Sequence, residues 1–394
     1  MSANAGYKIN NHGILIFYSQ FSNTDRNLSL ISESDSKTKY INTFSRNLLE
    51  YSENKERFTT NYKVAYLTEQ YRYFPDIESK FFTFGQSESL IGKVDLGYQL
   101  IESIQLNGIF DYSHTKGFGS SFGDNTRQIG AIAIKAVEQH NEKWQNELGF
   151  RKEASSDYDS PFLFSLGSSY AFTPFYNLKA NFSRNFRIPT FNDLYWSPGG
   201  NANLKPESSY QAEVGNVFKY KKITLSETVY YMKIDDLIRW IPMNGDVWSP
   251  ENTDRVNTYG SETILGWTNS YGKNNFAVNG TYAYTVSKNM DTKKQLFFVP
   301  YHKATASFAY SYSNLSIDYQ YLYNGFVYTR SDNDPKEVID AYKVSNIGLA
   351  YTFKSLDSSK IGFQVLNLFN EKYESMEDRR MAGRNFNIYI ILKF

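Results

Sequence analysis

The chain ends in Arg384-Asn-Phe-Asn-Ile-Tyr-Ile-Ile-Leu-Lys-Phe394. Extended, this stretch puts Phe386, Ile388, Ile390, Leu392 and Phe394 on one face and Asn385, Asn387 and Lys393 on the other, because side chains alternate along a strand. The apolar face needs a bilayer or a second sheet to cover it. Composition decides between the two. Aromatic residues make up 17% of the chain, with 33 Tyr and 30 Phe, yet charged residues reach 21% and the mean hydropathy is −0.52. No run approaches the roughly eighteen consecutive apolar residues of a membrane helix. A transmembrane barrel produces this mixture, since only alternate residues meet lipid and aromatic side chains gather at the interfaces.

Working back from the terminus, segments of roughly ten residues with period two recur through the chain, the length of a tilted strand crossing a bilayer. Tyr62, Val64 and Tyr66 alternate with Asn61 and Lys63; Val94, Leu96 and Tyr98 with Asp95 and Gln99; Ile347, Leu349 and Tyr351 with Asn346 and Thr352. About eighteen such segments are present, and those before Phe58 and between Gly130 and Glu138 are the least regular. The expected fold is therefore all-β, an antiparallel transmembrane β-barrel of about eighteen strands. Short links at 140–141, 173–174, 220–221, 271–273, 313–314 and 355–359 alternate with long polar stretches near 71–89, 114–125, 188–208, 235–253, 289–301, 328–340 and 370–383. Outer-membrane barrels have short periplasmic turns and long extracellular loops, so this asymmetry assigns the two sides. Trp144 and Trp267 then fall near the periplasmic interface, while Trp196, Trp240 and Trp248 fall in extracellular loops.

Other function classes are excluded by what the sequence holds. The 42 basic and 41 acidic residues nearly balance, which offers no field for nucleic acid, and the absence of Cys rules out disulfides and thiolate metal sites. His12, His114, His140 and His302 are scattered, with no catalytic or metal-ligand spacing, so an enzyme, a resident cofactor and a metal centre are not expected. Asp235-Asp236 and Asp332-Asn-Asp334 lack the remaining ligands of a calcium loop and read as solvated loop acids. Arg379-Arg380 suits either an anionic ligand, including lipopolysaccharide phosphate, or an ordinary charged loop.

Two further stretches carry a family resemblance. Asn185-Phe-Arg-Ile-Pro-Thr-Phe-Asn-Asp-Leu-Tyr-Trp196 is followed by Gly200-Asn-Ala-Asn-Leu-Lys-Pro-Glu207. Near the end, Asn367-Leu-Phe-Asn-Glu-Lys-Tyr373 precedes Met381-Ala-Gly-Arg-Asn-Phe386. Together these resemble the TonB-dependent outer-membrane receptors. Arg187, Pro189, Asn192, Leu204, Pro206, Glu207, Gly383 and Phe394 are the matching motif positions. Pro189 should end strand pairing, and Arg187 and Glu207 flank the loop closely enough to pair across its base.

The resemblance implies a barrel of about twenty-two strands around an N-terminal plug, of which residues 1–394 would supply the barrel without the plug or its first strands. It implies outer-membrane uptake of a scarce bulky ligand, a ferric siderophore or vitamin B12, driven by the TonB complex through the plug. The alternatives are a passive porin-like channel and a receptor remnant without function. Implied partners are outer-membrane lipid and lipopolysaccharide, the TonB complex, an iron chelate or corrinoid, and the barrel-assembly machinery that reads a terminal aromatic strand. Among the loop residues, Tyr195, Trp196, Trp240, Trp248 and Tyr328, with Arg379 and Arg380, form the candidate ligand set. Broad aromatic faces suit a bulky chelate or corrinoid, and they suit equally the packing of one loop on another.

Overall fold

A computed structural model describes residues 1–28, 37–243, 247–354 and 359–392. The two terminal residues, Phe394 among them, lie outside the described residues. The first strands are β1 (Ser2–Lys8), β2 (Gly13–Asn27), β3 (Lys39–Lys55), β4 (Phe58–Phe74), β5 (Thr83–Ile101), β6 (Ile104–Gly119) and β7 (Gly123–Asn141). They continue with β8 (Trp144–Ser155), β9 (Leu163–Thr173) and β10 (Tyr176–Arg187), then a five-residue helix, α1 (Phe191–Tyr195). After it come β11 (Glu207–Tyr220), β12 (Ile223–Pro242), β13 (Trp248–Tyr271), β14 (Asn274–Asn289), β15 (His302–Tyr312) and β16 (Leu315–Asn324). The last part holds β17 (Val327–Tyr328), β18 (Val338–Ile339), β19 (Tyr342–Phe353), β20 (Ser359–Leu366), β21 (Glu374–Met376), β22 (Arg379–Arg380) and β23 (Asn385–Ile391).

Nineteen of these strands form one antiparallel meander, and β17–β18 and β21–β22 are small hairpins within loops. That is one strand more than the alternation suggested. The discrepancy lies before Phe58, where β2 is apolar on both faces through Ile14-Leu15-Ile16-Phe17-Tyr18 and so lacks the period-two signal. The outer edges of β1 and β23 have no ladder partner among the described residues.

Register confirms which face meets lipid. Tyr62, Val94, Phe110 and Ile132 lie side by side on β4 to β7, and the next residue along each strand faces the lumen: Lys63, Lys93, Asp111 and Ala131. Val64 is 55% and Ile134 61% exposed without lipid around them. Inside, Lys63 pairs with Glu50 at 3.4 Å, Lys135 with Glu147 at 2.8 Å, and Arg151 with Asp111 at 2.7 Å and Glu153 at 2.7 Å. A one-layer wall buries little on either side, and the small buried cluster of Leu194, Leu204 and Ile238 sits at the extracellular end instead.

Among the described residues the short turns fall where expected, while the link expected at 355–359 lies almost wholly outside them. Glu56, Lys221 and Ser313 have φ of 45°, 52° and 53°, the left-handed conformation that tight hairpins require. Several extracellular loops are shorter than the sequence suggested, because the strands continue beyond the bilayer on polar cross-strand pairs. Gln70 binds Gln86 at 2.7 Å and Ser89 binds Thr115 at 3.0 Å, so the stretches near 71–89 and 114–125 are mostly strand and His114 lies within β6. Trp240 and Trp248, expected in a loop, are in β12 and β13, which stay paired as far as Pro242 and Trp248.

Candidate functional site

Arg187 and Glu207 are a paired position of β10 and β11. They share the lumen-facing side with Lys179 and Asn181. Their side chains make a two-point ion pair, Nε to Oε2 at 2.8 Å and Nη2 to Oε1 at 2.7 Å, the planar geometry that suits guanidinium and carboxylate. Glu207, its nearest partner, raises the Arg187 pKa further. Glu207 Oε1 also accepts the Ile238 amide at 2.6 Å. One carboxylate thereby ties the start of the 188–206 loop to β12.

The loop turns at Pro189, which is fully buried, and enters α1 through a capping box. Asp193 N donates to Thr190 Oγ1 at 3.1 Å and Thr190 N to Asp193 Oδ2 at 2.9 Å. These satisfy amides a helix start leaves open. Asp193 is only 6% exposed, and its other oxygen accepts Trp240 Nε1 at 2.9 Å. The motif position singled out from sequence, Asn192, is exposed, and its backbone carbonyl accepts Trp196 N at 3.2 Å. Its neighbour Asp193 holds the side-chain bonds.

The loop rests on the lumen wall. Phe191 lies over Gly117, where a Cβ would come within 2.6 Å of its ring. Arg127, 8% exposed, lies over the Phe191 ring at 4.9 Å, donates to the Pro189 carbonyl at 2.7 Å and pairs with Asp157 at 2.6 Å. Burial raises the Asp157 pKa, but the Ser156 hydroxyl and Arg127 outweigh it and hold the carboxyl below its usual range. Leu194, Leu204 and Ile238 close the apolar interior, while Tyr158 donates to the Leu204 carbonyl at 3.3 Å. Trp196 meets Trp240 edge-on at 5.5 Å, and a Cβ on Gly199 would collide with the Trp248 carbonyl. Asn252 fastens the far limb through Lys205 N at 2.8 Å and Lys205 O at 2.9 Å.

From here the contacts pass around the extracellular rim. Trp248 meets Phe297 at 6.2 Å, and Arg239, its pKa lowered by burial, lies 5.2 Å from the same ring. Gln295, 2% exposed, exchanges two hydrogen bonds with Asn333, at 2.8 and 2.9 Å. Phe298 N donates to the carbonyl of Tyr328 at 2.8 Å, and Arg330 reaches Glu377 at 2.8 Å. The terminal motif is held by Asn367, 3% exposed, which binds Glu371 N, Glu371 O and Ala382 O at 2.8, 2.9 and 3.1 Å. Arg384 N donates to Asn370 Oδ1 at 2.9 Å, close beside Gly383.

Of the candidate ligand set, the structure gathers Trp196 and Trp240 into one contact, sets Trp248 and Tyr328 against the next loop, and leaves Tyr195 41% exposed. Arg379 and Arg380 form β22 in the terminal loop, whose hairpin adjoins that of Tyr328, with Arg380 Nε 3.9 Å from Glu374. Pro206 is half-buried next to Glu207. The residues the sequence did not single out are Asp193, Arg127, Phe191, Gln295 and Arg330. The loop acids serve turns: Asp332 and Asp334 accept the backbone amides of Asp334 and Lys336 at 3.2 and 2.9 Å. His302 binds the Tyr282 hydroxyl at 2.8 Å.

The comparisons agree with that geometry. The sequence profile of the family described as TonB dependent receptor-like, beta-barrel, matches residues 2–368. The vitamin B12 transporter BtuB of Photobacterium profundum is 26% identical over 346 residues, 86% of this chain and 55% of that protein. BtuB of Vibrio vulnificus is 30% identical over 270 residues, 64% and 42% of the two chains. The chain thus spans about half the length of the curated relatives it matches. Among solved structures, the FrpB iron transporter of Neisseria meningitidis superposes with a TM-score of 0.79 at 15% identity, covering all of this chain and 71% of its own. The copper transporter OprC gives 0.81 at 13%, with the same coverage. At such identity these structures speak for the fold alone.

Proposed function

The chain belongs to the TonB-dependent receptor β-barrel family, whose members sit in the outer membrane, and we propose that it forms the wall and extracellular rim of a receptor for uptake of a scarce bulky ligand. The family is one of receptors and transporters, not of enzymes. The observation that carries the reading is the interlocked loop 188–206: a fixed, aromatic-bearing surface held over the lumen by Arg187–Glu207, Asp193–Trp240 and Arg127–Pro189. A preordered surface loses little entropy when a ligand lands on it.

Between a corrinoid and a ferric siderophore, the corrinoid has the stronger support. The relatives that align at 26–30% identity are vitamin B12 transporters, whereas the iron receptors resemble the chain in fold at 13–15%. Uptake would draw on TonB through a plug, with strands beyond these nineteen completing the wall. Binding of radiolabelled cyanocobalamin to outer membranes carrying the receptor tests the reading. Saturable binding should weaken at least tenfold in Tyr195→Ala, and uptake should cease without TonB. Binding of ferric enterobactin but not cyanocobalamin would replace the corrinoid, and TonB-independent conductance by the purified protein would favour the passive channel.

A further inference from the structure

The lipid face of β7 to β10 carries three rows of different character. Ala136, Leu148, Leu166 and Phe182 make one cross-strand row, and Glu138, Asn146, Ser168 and Ala180 make the next. Trp144 and Tyr170 lie in the row below that. On every strand the step from one row to the next is two residues toward the short periplasmic turn. That is about 5 Å along the membrane normal, at about 3.3 Å per residue and a tilt of about 40°. The aromatic row is therefore nearest the periplasm, the polar row stands above it and the apolar row lies deepest.

The lowest row belongs to a belt of rings. Contacts run from Trp144 to Tyr170, Phe172, Tyr176 and Phe218 at 6.2, 4.7, 5.5 and 4.6 Å, as in the girdle that marks a membrane interface. In the row above, the hydrogen bonds all run one way. Trp144 Nε1 donates to Ser168 Oγ at 2.9 Å, Ser168 Oγ to Asn146 Oδ1 at 2.9 Å, and Asn146 Nδ2 to Glu138 Oε2 at 3.2 Å. The chain of donors ends on a carboxylate. Its other oxygen lies 3.3 Å from Nδ1 of His140, one step nearer the periplasm, so the head of Glu138 turns back toward the girdle.

No lysine or arginine pairs with Glu138 among the described residues. On the lumen side of the same two strands Glu147 has its cation, Lys135 at 2.8 Å. A carboxylate accepts about four hydrogen bonds, and one turned toward lipid is costly unless a positive group meets it. Above Glu138 the small side chains of Ala136 and Ala180 leave a groove of about 560 Å³, walled by Leu148, Leu166 and Phe182. The face thus offers an anionic acceptor low, at the girdle, and an apolar channel directly above it. A phospholipid of the periplasmic leaflet has the complementary order when its headgroup carries hydrogen-bond donors and a positive charge.

We propose that this face is a binding site for phosphatidylethanolamine of the periplasmic leaflet. The ammonium donates charge-assisted hydrogen bonds to Glu138, and one acyl chain rises through the groove past Ala136 and Leu148. The test is retention of phosphatidylethanolamine, phosphatidylcholine and phosphatidylglycerol of identical acyl chains by the detergent-purified full-length receptor, read by native mass spectrometry. Wild-type protein should hold phosphatidylethanolamine at least tenfold more tightly than either of the others. Phosphatidylcholine has the same net charge but no N–H, and phosphatidylglycerol brings only negative charge. This comparison needs no substitution, so it stands even where a variant does not assemble. Glu138→Gln, which keeps the side-chain shape and removes the charge, should lose at least tenfold, and the groove-filling Ala136→Leu at least threefold, with unchanged heat-modifiable migration on gels as the control for folding. Equal retention of either other lipid, undiminished retention in either variant, or loss of a co-purifying protein rather than of lipid from Glu138→Gln would overturn the assignment.

Discussion

Asp193 shows how much one side chain can organise at this rim. Its carboxylate caps α1, holds Thr190 and accepts the Trp240 indole, so each oxygen is satisfied while almost no surface is exposed. Replacing Trp240 by Phe keeps the ring and removes only the donor. The enclosed Oδ1 then loses its partner, which costs about 1–3 kcal/mol, and amide exchange in 188–206 should accelerate about tenfold or more; an unchanged rate would show that the bond carries no weight. Asp157 makes a pH-dependent prediction. Its carboxyl is held below its ordinary value by Ser156 and Arg127 despite burial. The stabilisation is therefore full above the unfolded value of about 3.9 and disappears as pH falls through the folded one. Pepsin should cut 156–162 progressively faster in wild-type protein from pH 5 to pH 2. Asp157→Asn should start fast and change less. Parallel profiles would refute the linkage.

At the scale of elements, the extracellular extensions of β12 and β13 form a buttress for α1 and its loop. Leu194 and Leu204 arrive from the loop, and Ile238 meets them from β12. Ile238→Ala opens a cavity in this small cluster and should destabilise it by about 2–4 kcal/mol, with little effect on the lipid-facing wall. Chymotrypsin cleavage after Leu204, which the intact cluster buries, should rise on intact cells, while heat-modifiable migration of the barrel stays as in wild type. Cleavage at the wild-type rate would mean that the hydrogen bonds alone hold the loop. Alternation made the membrane-crossing parts of β4 to β10 legible in the sequence, except in β7 between Gly130 and Glu138. It failed in β2, where both faces are apolar, and in β12–β13 past residue 235, where polar and aromatic residues of a strand look like those of a loop.

For the whole molecule, parity matters. Nineteen antiparallel strands in sequence order leave β1 and β23 running in the same direction, so joining them directly would need a parallel pair. Bacterial outer-membrane barrels close with an even number of antiparallel strands. An odd number of further strands would satisfy that rule, in keeping with the proposed receptor. The chain has no Cys, which makes a clean experiment available: Cys introduced at Ala3 or Ala5 with Cys at Ile388, all on the lipid face. In the assembled receptor, oxidation should give no disulfide, because such bonds require Cα atoms roughly 4.4–6.8 Å apart. Efficient cross-linking would show that the two edges meet.

The sequence by itself determined the class of wall, its lipid-facing side, the sidedness of its turns and the family, because each rests on a local period or an unbroken motif. Arg187 and Glu207 belong with these, since both flank one loop. Only the tertiary structure decided which residues lock the rim. Arg127 and Pro189 are 62 residues apart, Asp193 and Trp240 47, and Gln295 and Asn333 38. Their meeting depends on the register of several intervening strand pairs, and a shift of one residue in any pair would turn these side chains to the opposite face. The row of Glu138, Asn146 and Ser168 has the same origin. None of the three is unusual in its own strand, and only the ladders on either side of β8 place them together.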